Sequence, residues 1–155
     1  MQQNSAAEQQ AALVAKRQQW LAVLTQEKEG LMAYEGALSA APYDMLRAPE
    51  VGMAMVKGQT AGEGQVFNLG EVTVTRCVVR LTGGEVGYGY VVGRSKAQAR
   101  LVALADAYLQ GPEHDYWAKT VLTPLSQAQQ QKNQQQQQQV AATKVDFFTL
   151  VRGED

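Results

Sequence analysis

The chain has 155 residues and a formal net charge of −1, enough length for one domain with a core of its own. The near-zero charge excludes a general field for nucleic acid or an anionic membrane surface. A single cysteine, Cys77, excludes an internal disulfide, no apolar run approaches the ~20 residues of a membrane span, and the opening MQQNSAAEQQ lacks the basic and apolar regions of a secretory signal. The expectation is a soluble, cytoplasmic protein in a reducing setting.

Residues 1–7 are small and polar and predict a frayed start. A helix is predicted from about Glu8 to Gln26, because Leu13, Trp20, Leu24 and Leu31 recur at helical spacing on one face. Gly30 interrupts it and leaves room for a second short helix through Ala40. Trp20 is the residue to watch, since aromatic anchors favour interfaces, although packing on a sheet is the plainer reading.

Pro42 and Pro49 bracket Tyr43–Ala48, which reads as a short edge strand, and Val51–Lys57 reads as another. Gly58–Gly64 is a glycine-rich connection. It lacks the GK[ST] ending of a phosphate-binding loop, and no helix follows it. Gln65–Leu69 is a short strand that leads through Gly70 into the central hairpin.

Val72–Thr82 alternates β-branched and polar residues, Gly83-Gly84 suits a two-residue turn, and Val86–Val92 returns. Such a turn pairs Leu81 with Val86, Val79 with Tyr88, Cys77 with Tyr90 and Thr75 with Val92. That register puts Tyr88 and Tyr90 in the core beside Val79 and Leu81. It leaves Arg76, Val78 and Arg80 on the other face, opposite Val91, Gly89 and Gly87.

Ser95 and Gln98 form a capping box for a helix over Lys96–Gln110, with Ala97, Leu101, Leu104, Ala105 and Tyr108 on one side and Gly111-Pro112 as its end. A further helix begins near Glu113, anchored by Tyr116, Trp117 and Val121, and Pro124 breaks or restarts it. Ser126–Thr143 is glutamine-rich, with six consecutive glutamines at Gln134–Gln139. It is either an exposed helix or a solvated spacer. Lys144–Asp155 is apolar for a terminus, with Val145, Phe147, Phe148, Leu150 and Val151. A free tail of that composition must dock, on its own domain or on another chain.

The predicted fold class is α+β: N-terminal helices, an antiparallel meander of four to five strands, C-terminal helices and an extended docking tail. Residues 1–125 form one domain, 126–143 the glutamine-rich spacer or helix, and 144–155 the tail.

Chemistry-bearing residues are few. His114 is the one histidine, so a zinc site is not expected, and Cys77 falls on the apolar strand face as a small buried hydrophobe. No nucleophile elbow, dinucleotide fingerprint or carboxylate pair is present, and no catalytic residue is assigned. The one polar constellation is Arg76, Arg80 and Arg94, with Arg94 just ahead of the helix cap. These arginines either meet an anion or pair with acids of the same or another subunit. A nucleic-acid regulator would need a basic helix or patch that the chain lacks.

Four stretches together carry a family resemblance: Arg47-Ala-Pro49-Glu50 ahead of a strand, VTRCVVRL (Val74–Leu81), GYGYVVGR (Gly87–Arg94) and VDFFTLVRG (Val145–Gly153). From about Gln18 to Glu154 the chain resembles the G subunit of the bacterial carbon–phosphorus lyase system. The glutamine tract departs from the pattern and looks like an expanded spacer. The resemblance implies a small subunit of an assembly with H, I and J subunits. In that system the G, H, I and L proteins displace adenine from ATP with a phosphonate, giving a ribose 1-phosphonate 5-triphosphate. It carries over no catalytic residue, metal or cofactor, and points to a non-catalytic component of the transferase. The long polar arm ahead of the tail makes Phe147, Phe148 and Leu150 the expected partner-docking residues, with Arg152 pairing to an acid at the rim. The alternative is a subunit that lends Arg76, Arg80 or Arg94 to a shared phosphate site.

Overall fold

The computed structural model describes the backbone of residues 2–59 and 64–152 and the side chains of residues 5–59 and 64–142. In chain order the elements are α1 (Gln2–Gln26), α2 (Lys28–Met32), α3 (Glu35–Leu38), β1 (Tyr43–Gln59), β2 (Val66–Leu81), β3 (Val86–Val92), α4 (Lys96–Gln110), α5 (His114–Trp117), a π-helical turn (Ala118–Leu122) and α6 (Thr123–Arg152). The class is α+β as expected. The sheet has three antiparallel strands in the order β1-β2-β3, where the sequence predicts four to five.

The shortfall comes from two mergers. The segments on either side of Pro49 form one strand, β1, with register shifts between Met45 and Arg47 and between Arg47 and Glu50. An edge strand tolerates a proline because no neighbour needs its missing N–H. Likewise Gln65–Leu69 and the first hairpin strand run together through Gly70 as β2. At the N-terminus α1 starts at Gln2, ahead of the expected boundary. At the other end α6 is one helix through the glutamine tract, and its backbone stays helical to Arg152 where an extended tail was expected.

The central hairpin is one residue out of the expected register. Its loop holds three residues, not two. The Gly84 N–H donates to the Leu81 carbonyl at 2.9 Å, and the Leu81 N–H donates to the Glu85 carbonyl at 2.9 Å. Gly84 has φ +98, the left-handed position that closes a three-residue hairpin loop. Val79 therefore faces Gly87, Cys77 faces Gly89, and Arg76 and Val78 face Tyr90 and Tyr88. A one-residue slip exchanges the faces of a whole strand. Val79 and Leu81 are buried as expected, but Tyr88 and Tyr90 are about half exposed on the outer face.

What fills the inner face is helix α4. A Cβ on Gly87 would lie 1.8 Å from the Ala103 carbonyl oxygen, and one on Gly89 would lie 1.9 Å from that of Ala99. Two glycines on the strand thus meet alanines spaced four apart on the helix, and backbone packs almost directly on backbone. The Ser95 side chain accepts from the Gln98 N–H at 3.2 Å, which starts α4 where the sequence places it.

Helix α4 is the core of the molecule, with residues Leu101–Leu109 all buried. One side lies on the sheet against Cys77, Val79 and Val91. The other is covered by Trp20 and Leu24 of α1, Leu31 of α2, Leu38 of α3, and Trp117, Val121 and Leu125. Leu13, on the expected apolar stripe of α1, is exposed instead, because α1 outruns the body it packs on. The start of α6 is pinned to the end of α1 by Gln129–Gln26 and to Glu27, the residue that follows α1, by Lys132 at 2.9 Å. Residues 133–142 are exposed throughout.

Candidate functional site

Three features of the described surface are candidates for function: a polar junction at Asp106, a groove beside it, and the outer face of the sheet. Asp106 is fully buried in the middle of α4. Its carboxylate accepts from the Arg17 Nε and Nη2 (3.1 and 2.7 Å), the Trp20 Nε1 (2.8 Å), the Tyr88 backbone N–H (3.0 Å) and the Gln110 Nε2 (3.2 Å). Every lone-pair direction is occupied, so the group is neither a base nor a metal ligand in waiting. It welds α1, α4 and the edge of β3 together. The Tyr88 N–H has no strand beyond β3 to pair with, and Asp106 satisfies it. Arg17 also lies over the Tyr88 ring, 5.3 Å from its centroid.

The groove, about 390 Å³, runs between α1 and the end of α4, lined by Leu13, Val14, Arg17, Trp20, Gln110 and His114. His114 is the one imidazole. Its Nδ1 lies 2.6 Å from the Leu109 carbonyl and so donates to it, and its ring sits 5.6 Å from that of Trp20. The ring packs and caps the end of α4. The described residues that line the groove with it include no carboxylate, hydroxyl or thiol, and among the described residues no group of three or more His, Cys, Asp or Glu is arranged to hold a metal ion.

Cys77 is buried beneath α4. Burial pushes its thiol above the ordinary value, and Arg100 only partly opposes this, the reverse of what an activated thiol needs.

The three arginines do not converge. Arg76 and Arg80 share the outer sheet face, as the alternation predicts. Arg76 lies over the Tyr90 ring at 5.8 Å. Arg80 reaches Asp44 on β1 at 3.4 Å. Arg94 stands exposed in the β3–α4 connection, away from both. Arg47 is held by Glu50 at 3.1 Å. The outer face is therefore not the bare shelf that a two-residue turn implies. Tyr90 stands across from Arg76, with Tyr88 and Val92 beside it opposite Val78 and Val74, and the face is mixed aromatic and cationic, as protein interfaces are.

The tail residues Phe147, Phe148, Leu150 and Arg152 lie outside the residues whose side chains are described. Sequence reading missed the Asp106 junction and the depth of α4. A signal for the latter existed: Gly87-x-Gly89 on a strand and Ala99-x-x-x-Ala103-x-x-x-Ala107 on the next helix are complementary spacings of small residues.

Among the described residues no helix is long and apolar enough to cross a membrane. Residues 15–153 match the family model described as Phosphonate metabolism protein PhnG. Over 110 residues the chain is 44% identical to the alpha-D-ribose 1-methylphosphonate 5-triphosphate synthase subunit PhnG of Rhizobium meliloti (strain 1021), a match spanning 71% of this chain and 70% of that protein.

Proposed function

The chain belongs to the phosphonate metabolism protein PhnG family, and on that premise we propose that it is a subunit of an alpha-D-ribose 1-methylphosphonate 5-triphosphate synthase, acting in the cytoplasm in organic phosphonate breakdown. The observation that carries the reading is the family match, which covers nearly the whole chain, both the helical layers and the sheet. The surface chemistry agrees with a structural rather than a reacting role. The buried carboxylate is saturated, the thiol is suppressed and the imidazole caps a helix. Its partners are the H, I and J subunits.

On this reading Arg76, Arg80 and Arg94 are partner contacts. Arg76 stands across from Glu50 on β1, whose carboxylate is turned to Arg47, Arg94 is exposed, and Arg80 is held only by an exposed pair, the kind that exchanges readily for a better one. Phe147, Phe148 and Leu150 dock on another subunit, with Arg152 at the rim. Two Phe, one Leu and two Val side chains contribute on the order of 10 kcal/mol before ordering costs. A glutamine-rich arm leading to them suits a distant dock better than a local one. Residues 1–125 are the folded body, 126–143 the arm and 144–155 the dock.

The test is an omission assay. The remaining synthase subunits are given ATP and methylphosphonate, with and without this chain, and the triphosphate product is followed by phosphorus NMR. Product is expected only when the chain is present, and the chain alone is expected to give none. Full product without it contradicts the reading. Truncation after Lys144 tests the dock: the shortened chain is expected to melt normally but to lose its partners. Normal partner recovery by that chain removes the docking role of the tail.

A further inference from the structure

The sheet does not end where the body ends. β3 stops pairing at Val92, opposite Val74, whereas β1 and β2 continue together from Val51–Thr75 out to Gln59–Val66. Val51–Gln59 with Val66–Thr73 is thus a two-stranded arm, about 30 Å long at the usual rise per residue. Among the described residues no third strand pairs with it, and the larger apolar side chains of both strands stand exposed. An isolated two-stranded ribbon is marginal in water, and this one carries few charges, with Lys57 and Glu71 the only ionisable residues in these two segments.

Its apolar residues are displayed on both faces. Val51, Met53 and Met55 stand on one, where the Thr73 hydroxyl touches the Met53 sulfur at 3.7 Å. Phe67 and Leu69 stand on the other, gathered over Gly58, beside Ala54, Val56 and Val72. Met53, Met55 and Leu69 are each more than half exposed, and Val51 and Phe67 more than two-fifths. The second face is continuous with the outer sheet face bearing Arg76 and Tyr90.

Resting on the subunit reading above, we infer that this arm inserts into an apolar cleft of a different subunit of the synthase. Two apolar faces and two unpaired edges require an occupant on more than one side, which a flat surface does not supply. Two faces of about 300 Å² with the edges approach the ~800 Å² per partner of a stable interface. A second copy of this chain is a poor host. The arm fills roughly 3000 Å³ at a strand spacing of ~5 Å and a sheet thickness of ~10 Å, whereas the groove beside Trp20 holds about 390 Å³ and the one between Pro42 and Arg80 about 520 Å³. The Gly93 N–H still donates to the Thr73 carbonyl at 2.8 Å, and the free backbone edge of β2 from Val72 outward adds main-chain pairing to the side-chain burial.

The experiment uses the full chain co-expressed with the other synthase subunits and purified through it, as wild type and as the double variant Met53→Asp/Phe67→Asp. Both positions are exposed, so the variant alone is expected to melt within about 2 °C of wild type. Recovery of the other subunits is expected to fall roughly tenfold or more, because each carboxylate would be buried unpaired in the cleft. Equal recovery by variant and wild type overturns the arm while leaving the subunit reading intact. No recovery by the wild type itself overturns that reading and the arm with it. A dimer of the isolated chain that the variant dissolves overturns the heterologous occupant. Should the variant fold poorly, hydrogen exchange on the wild type decides. Amides of Val66–Thr73 are expected to slow at least ~10-fold on joining the complex, and unchanged exchange there refutes the insertion.

Discussion

Replacing Asp106 with alanine removes the one group on which α1, α4 and β3 converge. Two donors are stranded in places water does not reach easily: the indole N–H of Trp20, a residue 6% exposed, and the backbone N–H of Tyr88, which has no other acceptor on its edge. Each unsatisfied buried donor costs about 1–3 kcal/mol. The Arg17 guanidinium loses a bidentate partner, but its side chain is 32% exposed and regains water, so its share is smaller. The expected loss is about 3–5 kcal/mol, as for breaking a buried pair from one side. For a domain of this size that lowers the melting temperature by roughly 10 °C. Urea denaturation followed by circular dichroism measures it, with Arg17→Ala and the double variant closing a cycle. The double variant is expected to cost much less than the sum of the singles, since the first substitution already abolishes the shared pair. A loss under ~1 kcal/mol for Asp106→Ala, or strict additivity in the cycle, refutes the reasoning.

Gly87→Ala drives a methyl into the Ala103 carbonyl and is expected to cost about 3 kcal/mol. Gly52→Ala, where nothing lies within 4 Å, is expected to stay within ~0.5 kcal/mol; equal melting temperatures for the two variants would show that α4 does not approach the sheet so closely. Cys77 is expected to resist a thiol reagent at mildly alkaline pH until the chain is denatured. Because burial raises its folded pKa, its contribution to stability is complete below the unfolded thiol pKa and is lost as pH rises through the folded value. A Cys77→Ala chain should accordingly show a flatter alkaline limb in urea melts. Arg80→Ala breaks only an exposed pair and is expected to change stability by less than ~1 kcal/mol. Any larger effect in the assembled complex is then attributable to a partner.

The elements that sequence reading places well are those with local causes. The Ser95 cap, the span of α4 and the stop at Gly111 all follow from neighbours within a turn. The burial of Cys77 and Val79 follows from strand alternation on β2 alone. The face of β3 does not, because it depends on whether the loop takes two residues or three, and Thr82-Gly83-Gly84 admits both. The tertiary contact decides: only the three-residue loop turns Gly87 and Gly89 toward the alanines of α4 and leaves the bulky Tyr88 and Tyr90 outside. The strand number fails for a similar reason. Pro49 and Gly70 read as breaks in one dimension, yet an edge position and a register shift absorb them in the sheet. Of the candidate site, the arginine face was legible from period-two spacing. The Asp106 junction was not, since it joins residues some 89 positions apart and nothing local marks an aspartate in mid-helix as buried.

The central claim is that this chain works as part of a larger assembly. Native mass spectrometry of material purified through it, from cells producing the whole phosphonate pathway, tests that most directly. The predicted result is a set of species heavier than 16.9 kDa that contain the chain together with other synthase subunits. Recovery of the chain solely at its own mass, with those subunits present in the same cells, would contradict it.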